Sequence, residues 1–363
     1  MGILLALLLF SFIVIVHELG HFLLAKKNGI DVSEFSLGMG PRILSFERGG
    51  TRYSWKLLPF GGSCMMGEDE IDDQSAGSFN SKSVWARISV IAAGPVFNFI
   101  LAFIFAVILV AWVGYDPAVA DDVIPGSAAE EAGLQKGDVI VKMNHKDINL
   151  WREVQVYNQM HQGETVTVTY ERDGKEHQVD IKPRMDEETG MYLLGLTGKA
   201  QNEKADGLKA LQYGVYEVKY WICTTLDGLK MLVTGKVGLD QMAGPVGIVN
   251  LVDDTYEAAK PAGMAIVFLN LMNIGILLSA NLGVMNLLPI PALDGGRLVF
   301  LILEVIRGKR IAPEKEGMVH FAGFVLLFGL MILILFNDVK ICFCKIFSRS
   351  KDMYRCSFIG RLL

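Results

Sequence analysis

Residues 17–21 read His17-Glu18-Leu19-Gly20-His21. Positions four apart share one face of an α-helix, so the two imidazoles would project side by side with a carboxylate next to the first. Two imidazoles can hold zinc, and a glutamate beside them can take a proton from water and give it back. That is hydrolytic chemistry. The same spacing also arises by chance in helices that hold no metal, so the surroundings decide. Here the flanks are Ile13-Val14-Ile15-Val16 and Phe22-Leu23-Leu24-Ala25, within an otherwise uncharged run from Ile3 to Ala25. As a helix that run covers roughly 35 Å, enough to cross a bilayer. Ionisable side chains at such depth are costly and point to function.

A zinc centre that acts on water needs a third protein ligand and an open fourth position. Far downstream stands Asn286-Leu287-Leu288-Pro289-Ile290-Pro291-Ala292-Leu293-Asp294-Gly295-Gly296. The two prolines must break a helix, and an acid just after them can turn its carboxylate back into a helical bundle. Broken backbone at membrane depth is tolerated where it is buried in protein or lines a cavity. Asp294 can equally be the N-cap of the segment that follows it.

The elements that position these groups are mostly apolar helices. Of 363 residues 52% are hydrophobic, and the mean hydropathy is +0.37, both high for a soluble chain. The net charge of −5, with no basic patch carrying interleaved aromatics, excludes nucleic acid as a partner. The five cysteines follow no disulfide or metal spacing. The N-terminus lacks the basic start of a cleaved signal and contains the chemistry, so it reads as a retained span over residues 1–25. Further spans are expected at 84–113, 263–290 and 317–337. The third is rich in amides (Asn270, Asn273, Asn281, Asn286), which suit helix contacts better than lipid. A segment over 291–310 carries the Leu-Asp-Gly sequence and a helix.

Between the first two spans, residues 26–83 hold short alternating runs (Glu34–Leu37, Arg42–Phe46, Tyr53–Leu58) punctuated by glycines, which predicts small strands and hairpins. Glu68–Asp73 reads as a solvated acidic loop. Residues 117–184 are a polar island. Ser-Ala-Ala-Glu-Glu-Ala-Gly-Leu-Gln-Lys-Gly-Asp-Val-Ile-Val from Ser127 predicts a short helix, a Gly137-Asp138 turn and a strand, and Asp173-Gly174 predicts a hairpin. The stretch resembles a bacterial PDZ domain. Residues 205–262 mix Tyr213, Tyr216, Tyr220 and Trp221 with lysines, an amphipathic pattern suited to the membrane interface; Glu217, Lys219 and Asp227 argue against a fifth span there.

Together, His-Glu-Leu-Gly-His, Gly94-Pro95-Val96-Phe97-Asn98, the PDZ-like island and the Asn286–Gly296 sequence resemble the site-2 protease family of intramembrane metalloproteases, over about Met1 to Phe336. The bacterial regulated-proteolysis members with a single PDZ domain are the nearest in pattern. The resemblance implies a polytopic α-helical membrane protein with an inserted α/β PDZ domain and a membrane-associated β-hairpin region. It implies Zn2+ held by His17, His21 and Asp294, Glu18 as general base, and Asn286 helping to position or polarise the substrate. The hairpin region would pair with an unwound substrate. The implied partners are the lipid bilayer, single-span membrane proteins such as a pre-trimmed anti-sigma factor or a remnant signal peptide, and a regulatory partner at the PDZ domain.

Lys26 and Lys27 put the end of the first span on the cytoplasmic side, and hence the island outside the cytoplasm of a bacterial plasma membrane. The tail 338–363 conflicts with this. Four spans place it outside, yet it carries Lys340, Lys345, Arg349, Lys351, Arg355 and Arg361, a departure from the family for which the sequence offers no reason. Two other functions compete. A zinc transporter or sensor would need acidic and histidine residues along several spans, and only His17, Glu18, His21 and Asp294 occur. A PDZ scaffold without activity would have no need of an intact catalytic glutamate.

Overall fold

The computed structural model describes residues 1–67, 75–186, 190–238 and 244–347; the Glu68–Asp73 run and the tail beyond 347 lie outside them. Of the described residues, 1–105 and 221–347 form one compact unit and 106–220 another. Helix α1 (Gly2–Lys27) is apolar on all sides, as a helix surrounded by lipid and protein must be. It leads into strands β1 (Glu34–Arg48) and β2 (Thr51–Met65), which meet antiparallel across a Gly49-Gly50 turn. Both glycines have positive φ, the requirement of a tight hairpin.

The two strands are not straight. Gly38, Gly40 and Gly61 also have positive φ, and the chain bends there. The first residues of β1 therefore lie between two parts of β2: Leu37 is opposite both Trp55, with residue numbers rising together from Glu34↔Arg52, and Gly62, with them running oppositely. The three short runs expected from sequence are thus pieces of one folded ribbon. Helix α2 (Val84–Val113) follows, with Pro95 in its interior. Near its start Arg87 pairs with Glu304 at 2.5 Å, beside a core that includes Ala25, Ile30, Val32, Val90, Ile91 and Leu301.

The second unit holds β3 (Asp122–Val123), α3 (Ala128–Glu131), β4 (Val139–Met143), β5 (Lys146–Asp147), α4 (Trp151–Met160), β6 (Val166–Arg172), β7 (Lys175–Ile181), β8 (Arg184–Met185), β9 (Tyr192–Leu193) and β10 (Leu196–Thr197). Four strands form an antiparallel sheet in the order β5-β4-β6-β7. Ile140, Met143, Val166 and Ile181 bury their side chains with Trp151 of α4. The unit does not stop at residue 184. Leu196 pairs with Val123 and Tyr115 with Glu203; the strands responsible are two residues long, too short for alternation to reveal.

Helix α5 (Gly207–Val233) carries Glu217 into this unit. There the guanidinium of Arg152, at the start of α4, forms two hydrogen bonds with Asp116 and a third, at 3.2 Å, with Glu217. Burial pushes the Glu217 carboxyl up to about 7 against the pull of Arg152.

The rest of the first unit is α6 (Pro245–Ala259), α7 (Met264–Leu287), α8 (Asp294–Arg307) and α9 (Pro313–Phe347). Four helical stretches are long and apolar enough to cross a membrane: Gly2–Lys27, Val84–Val113, Met264–Leu287 and Glu314–Asp338. The N-terminus of α6 offers free backbone N–H groups, and Gly244, Val246 and Gly247 donate theirs to the Asp338 carboxylate at 3.0–3.1 Å. Gly2 donates to Asp253 of α6 at 2.9 Å. These two aspartates tie α1, α6 and α9 together. Among the amides of α7, Asn281 bonds Thr225 of α5, a helix contact of the kind expected for that span.

Candidate metal centre

His17 and His21 lie on one face of α1, both buried, with their rings edge to face at 4.8 Å between centroids. Their Nε2 atoms are 3.2 Å apart. Asp294 comes from the first turn of α8, where Leu293 and not Asp294 occupies the N-cap position. Its Oδ2 lies 3.2 Å from His17 Nε2 and 3.4 Å from His21 Nε2, buried and without a hydrogen bond of good geometry. Three ligand atoms within 4.8 Å of one another thus converge on one point, as a cation between them requires. Burial alone would raise the Asp294 carboxyl, but the two imidazoles outweigh it and hold it well below the usual carboxylate range.

The residues around this point explain why the ligands stand there. His21 Nδ1 donates to the Val90 carbonyl of α2 at 2.8 Å, which fixes the tautomer and leaves the Nε2 lone pair for a metal. His17 Nδ1 is 3.2 Å from the Asn98 side-chain nitrogen, and in that orientation the buried Asn98 Oδ1 has no partner. Rotating the amide by a half-turn sets Oδ1 on the His17 Nδ1–H. That satisfies both atoms and frees His17 Nε2 in the same way. Ser279 of α7 donates to the Asn98 backbone carbonyl at 2.7 Å. Gly94 is the third device: a Cβ there would lie 2.3 Å from His21 Nε2 and 2.7 Å from His17 Cε1.

Asp294 is delivered by a sharp reversal. Helix α7 ends at Leu287, and the first turn of α8 folds back so closely that a Cβ on Gly295 would lie 2.1 Å from the Leu288 carbonyl oxygen. A Cβ on Gly296 would lie 2.5 Å from that of Ile290. Ala292 takes positive φ, and its N–H donates to His320 Nδ1 of α9 at 2.9 Å.

Glu18 follows the first histidine on α1. Its carboxylate accepts from the Cys64 backbone N–H of β2 and is in electrostatic reach of His17, His21 and Asp294. Gly62 leaves the room, since a Cβ there would come within 3.3 Å of Glu18 Cγ. Asn286 stands half-buried in the last turn of α7 and is not among the converging ligand atoms. Sequence reasoning quoted Gly94 and Asn98 without giving either a task; an amide on an otherwise apolar helix was the signal for Asn98.

Two imidazoles and one carboxylate, with a second carboxylate alongside, fit an open zinc site better than a closed structural one. The class is that of membrane-embedded zinc hydrolases. The comparisons narrow it: Peptidase family M50 matches residues 5–330, and the chain belongs to this family, the site-2 proteases. Zinc metalloprotease RasP of Geobacillus kaustophilus is 32% identical over 415 residues, covering 92% of this chain and 96% of that one. Regulator of sigma-W protease RasP of Bacillus subtilis is 30% identical, covering 92% and 97%. Among solved structures, the PDZ domain of an SdrC-like protein from Listeria monocytogenes is 27% identical over 23% of this chain and 88% of that chain, with a TM-score of 0.21. The protein is a multi-pass membrane zinc metalloprotease of the site-2 type, and Zn2+ is its cofactor.

Proposed function

We propose that His17, His21 and Asp294 hold the zinc, that Glu18 is the general base, and that the enzyme cuts single-span membrane proteins within the membrane. The observation that carries this reading is the convergence of three buried ligand atoms from α1 and α8 beside a fourth carboxylate. Zinc held by these residues would supply Lewis-acid chemistry at the site, polarising a carbonyl and lowering the pKa of water. Glu18 takes the proton of the attacking water and passes it to the leaving amine. Asn286 stabilises charge developing on the carbonyl oxygen.

A transmembrane substrate hides its scissile bond in helical hydrogen bonds and must unwind first. The β1–β2 ribbon suits that task. It exposes Ile43, Leu44, Phe46 and Trp55, apolar side chains that fit lipid, and its edge can pair with an extended segment. Lys26 and Lys27 set that end of α1 on the cytoplasmic side, so residues 117–184, which we take as a PDZ domain, lie outside the cytoplasm and regulate access. By likeness to a relative named for sigma-W regulation, the substrate is an anti-sigma factor already shortened outside, or a remnant signal peptide.

The test uses purified full-length protein. Glu18→Gln keeps about one zinc per chain and loses cleavage, because an amide cannot accept the proton. The double change His17→Ala and His21→Ala empties the site. Asp294→Asn weakens zinc and activity together. Full zinc occupancy in the double-histidine variant sinks the ligand assignment, and wild-type cleavage by Glu18→Gln sinks the base.

A further inference from the structure

Asp294 meets the two imidazoles only while the chain between α7 and α8 keeps one shape. Within that chain the Ile290 N–H bonds the Leu288 carbonyl at 2.7 Å and the Leu293 N–H bonds that of Ile290 at 3.2 Å. The N–H of Ala292 lies outside both bonds. Ala292 also stands at φ 77°, a conformation that costs free energy in a residue with a Cβ and persists where the surroundings impose it. Leu293, at the N-cap of α8, makes no side-chain cap bond, so capping does not fix the start of that helix.

Helix α9 supplies the missing hold. His320 Nδ1 accepts from the Ala292 N–H at 2.9 Å, and its ring lies 5.4 Å from that of Phe300 of α8, centroid to centroid. One side chain thus touches the chain two residues before Asp294 and six residues after it. Accepting requires that Nδ1 carry no proton, so a replacement for His320 must offer an acceptor at the same reach. Three residues on, on the same face of α9, Gly323 allows the close approach: a Cβ there would lie 2.5 Å from Pro291 Cβ and 2.6 Å from the Pro291 carbonyl oxygen. His320 belongs to the stretch Glu314–Asp338, long and apolar enough to cross a membrane, where a backbone donor without a protein partner finds no water to replace it. Phe321, Leu326, Leu333 and Phe336 of the same helix are exposed, so the bond at His320 is no by-product of a helix packed along its whole length.

We infer that His320 is a positioning residue for Asp294: its Nδ1 holds Ala292 in the left-handed conformation and so sets the carboxylate at the point where the ligand atoms converge. The inference rests on the reading of Asp294 as a zinc ligand. It adds a requirement in α9, a helix that supplies no ligand itself.

The test uses the full-length protein in detergent and two readouts: zinc affinity by competition with a chelator and, in zinc-free protein, amide exchange over residues 288–298. His320→Leu should weaken zinc about ten-fold, the effect of one lost hydrogen bond, and quicken exchange of the loop. His320→Asn, whose Oδ1 takes the place of Nδ1, should restore most of both. His320→Gln, whose acceptor lies one bond further out, should not. Gly323→Ala leaves His320 intact and should weaken zinc by pressing α9 off Pro291, which keeps the test valid if a change at His320 folds poorly; thermal unfolding reports folding in each variant. Wild-type zinc affinity in folded His320→Leu and Gly323→Ala, or equal losses in His320→Asn and His320→Leu, overturns the inference. Asp294→Asn tests the reading beneath it. Zinc retained in that variant removes the ligand role itself, whereas zinc lost there but held normally by His320→Leu removes His320 alone.

Discussion

Two side chains next to the proposed metal ligands decide whether those ligands could hold a metal. Asn98 lies 3.2 Å from the His17 nitrogen that faces away from Asp294, the place that outer partners of metal-binding histidines occupy in general. Asn98→Leu, similar in size but without an acceptor, should lower zinc affinity about 10- to 100-fold with the fold retained. Competition with a calibrated chelator measures this; unchanged affinity removes Asn98 from the centre. Gly94 acts by absence. A methyl group there would press on His21 Nε2, so Gly94→Ala should lower zinc occupancy and cleavage together and destabilise the bundle by about 1–3 kcal/mol. An alanine variant with full zinc and full activity would show that α2 can move away freely.

Among the elements, the β1–β2 ribbon has an ion pair at a buried carboxylate. Glu34, buried at the start of β1, accepts two bonds from Arg42, at 2.9 and 3.0 Å, across the glycine bend. The Arg42 hydrogen bonds hold its carboxyl down to about 2, against an ordinary 4.5. Between those values the unfolded ribbon binds the proton more readily than the folded one. The stabilisation is therefore complete above about pH 4.5 and is lost as pH falls toward 2. Amide exchange at residues 34–37 and 52–55, corrected for intrinsic rates, should quicken over that range. In Arg42→Gln the segment should exchange faster already at neutral pH, with a smaller further step in acid. Identical profiles for the two proteins would mean that the pair does not hold the bend.

At the scale of the molecule, the proposed chemistry and the proposed regulation fall in different units. His17, Glu18, His21 and Asp294 belong to one compact unit, while residues 106–220 have their own sheet and core. His145, His161 and His177 in that second unit form no metal cluster among the described residues. Replacing residues 117–203 by a short flexible linker, with the cut after the Tyr115–Glu203 pairing taken into account, should leave zinc bound and a pre-trimmed substrate cleaved. The same variant should also begin to cut an untrimmed substrate, which on this reading the intact enzyme would reject. A stably expressed, zinc-loaded deletion that cuts neither form would make this unit part of the catalytic machinery. The cut at 184 suggested by composition would part β10 from β3 and break the β8–β9 pair.

The sequence by itself determined the four apolar spans, the helical pairing of His17 with His21 and the polar island, because each is written in local periodicity and composition. Helical spacing alone aligns two imidazoles, and no distant contact is needed to make Ile3–Ala25 apolar. What Asp294 does was open between cap and ligand, since both readings use the same residue after the same prolines. Only the tertiary structure brings its carboxylate to the two imidazoles, by the reversal at Gly295 and Gly296 that turns it toward α1, which is why we propose the ligand role. The service of Asn98 and Gly94 to the histidines was equally out of reach, because it depends on where α2 crosses α1. The three short strands between the first two spans were legible as pieces, but their joining into one bent ribbon was not. Pairing partners lie far apart along the chain, and local alternation carries no record of which strand will lie beside which.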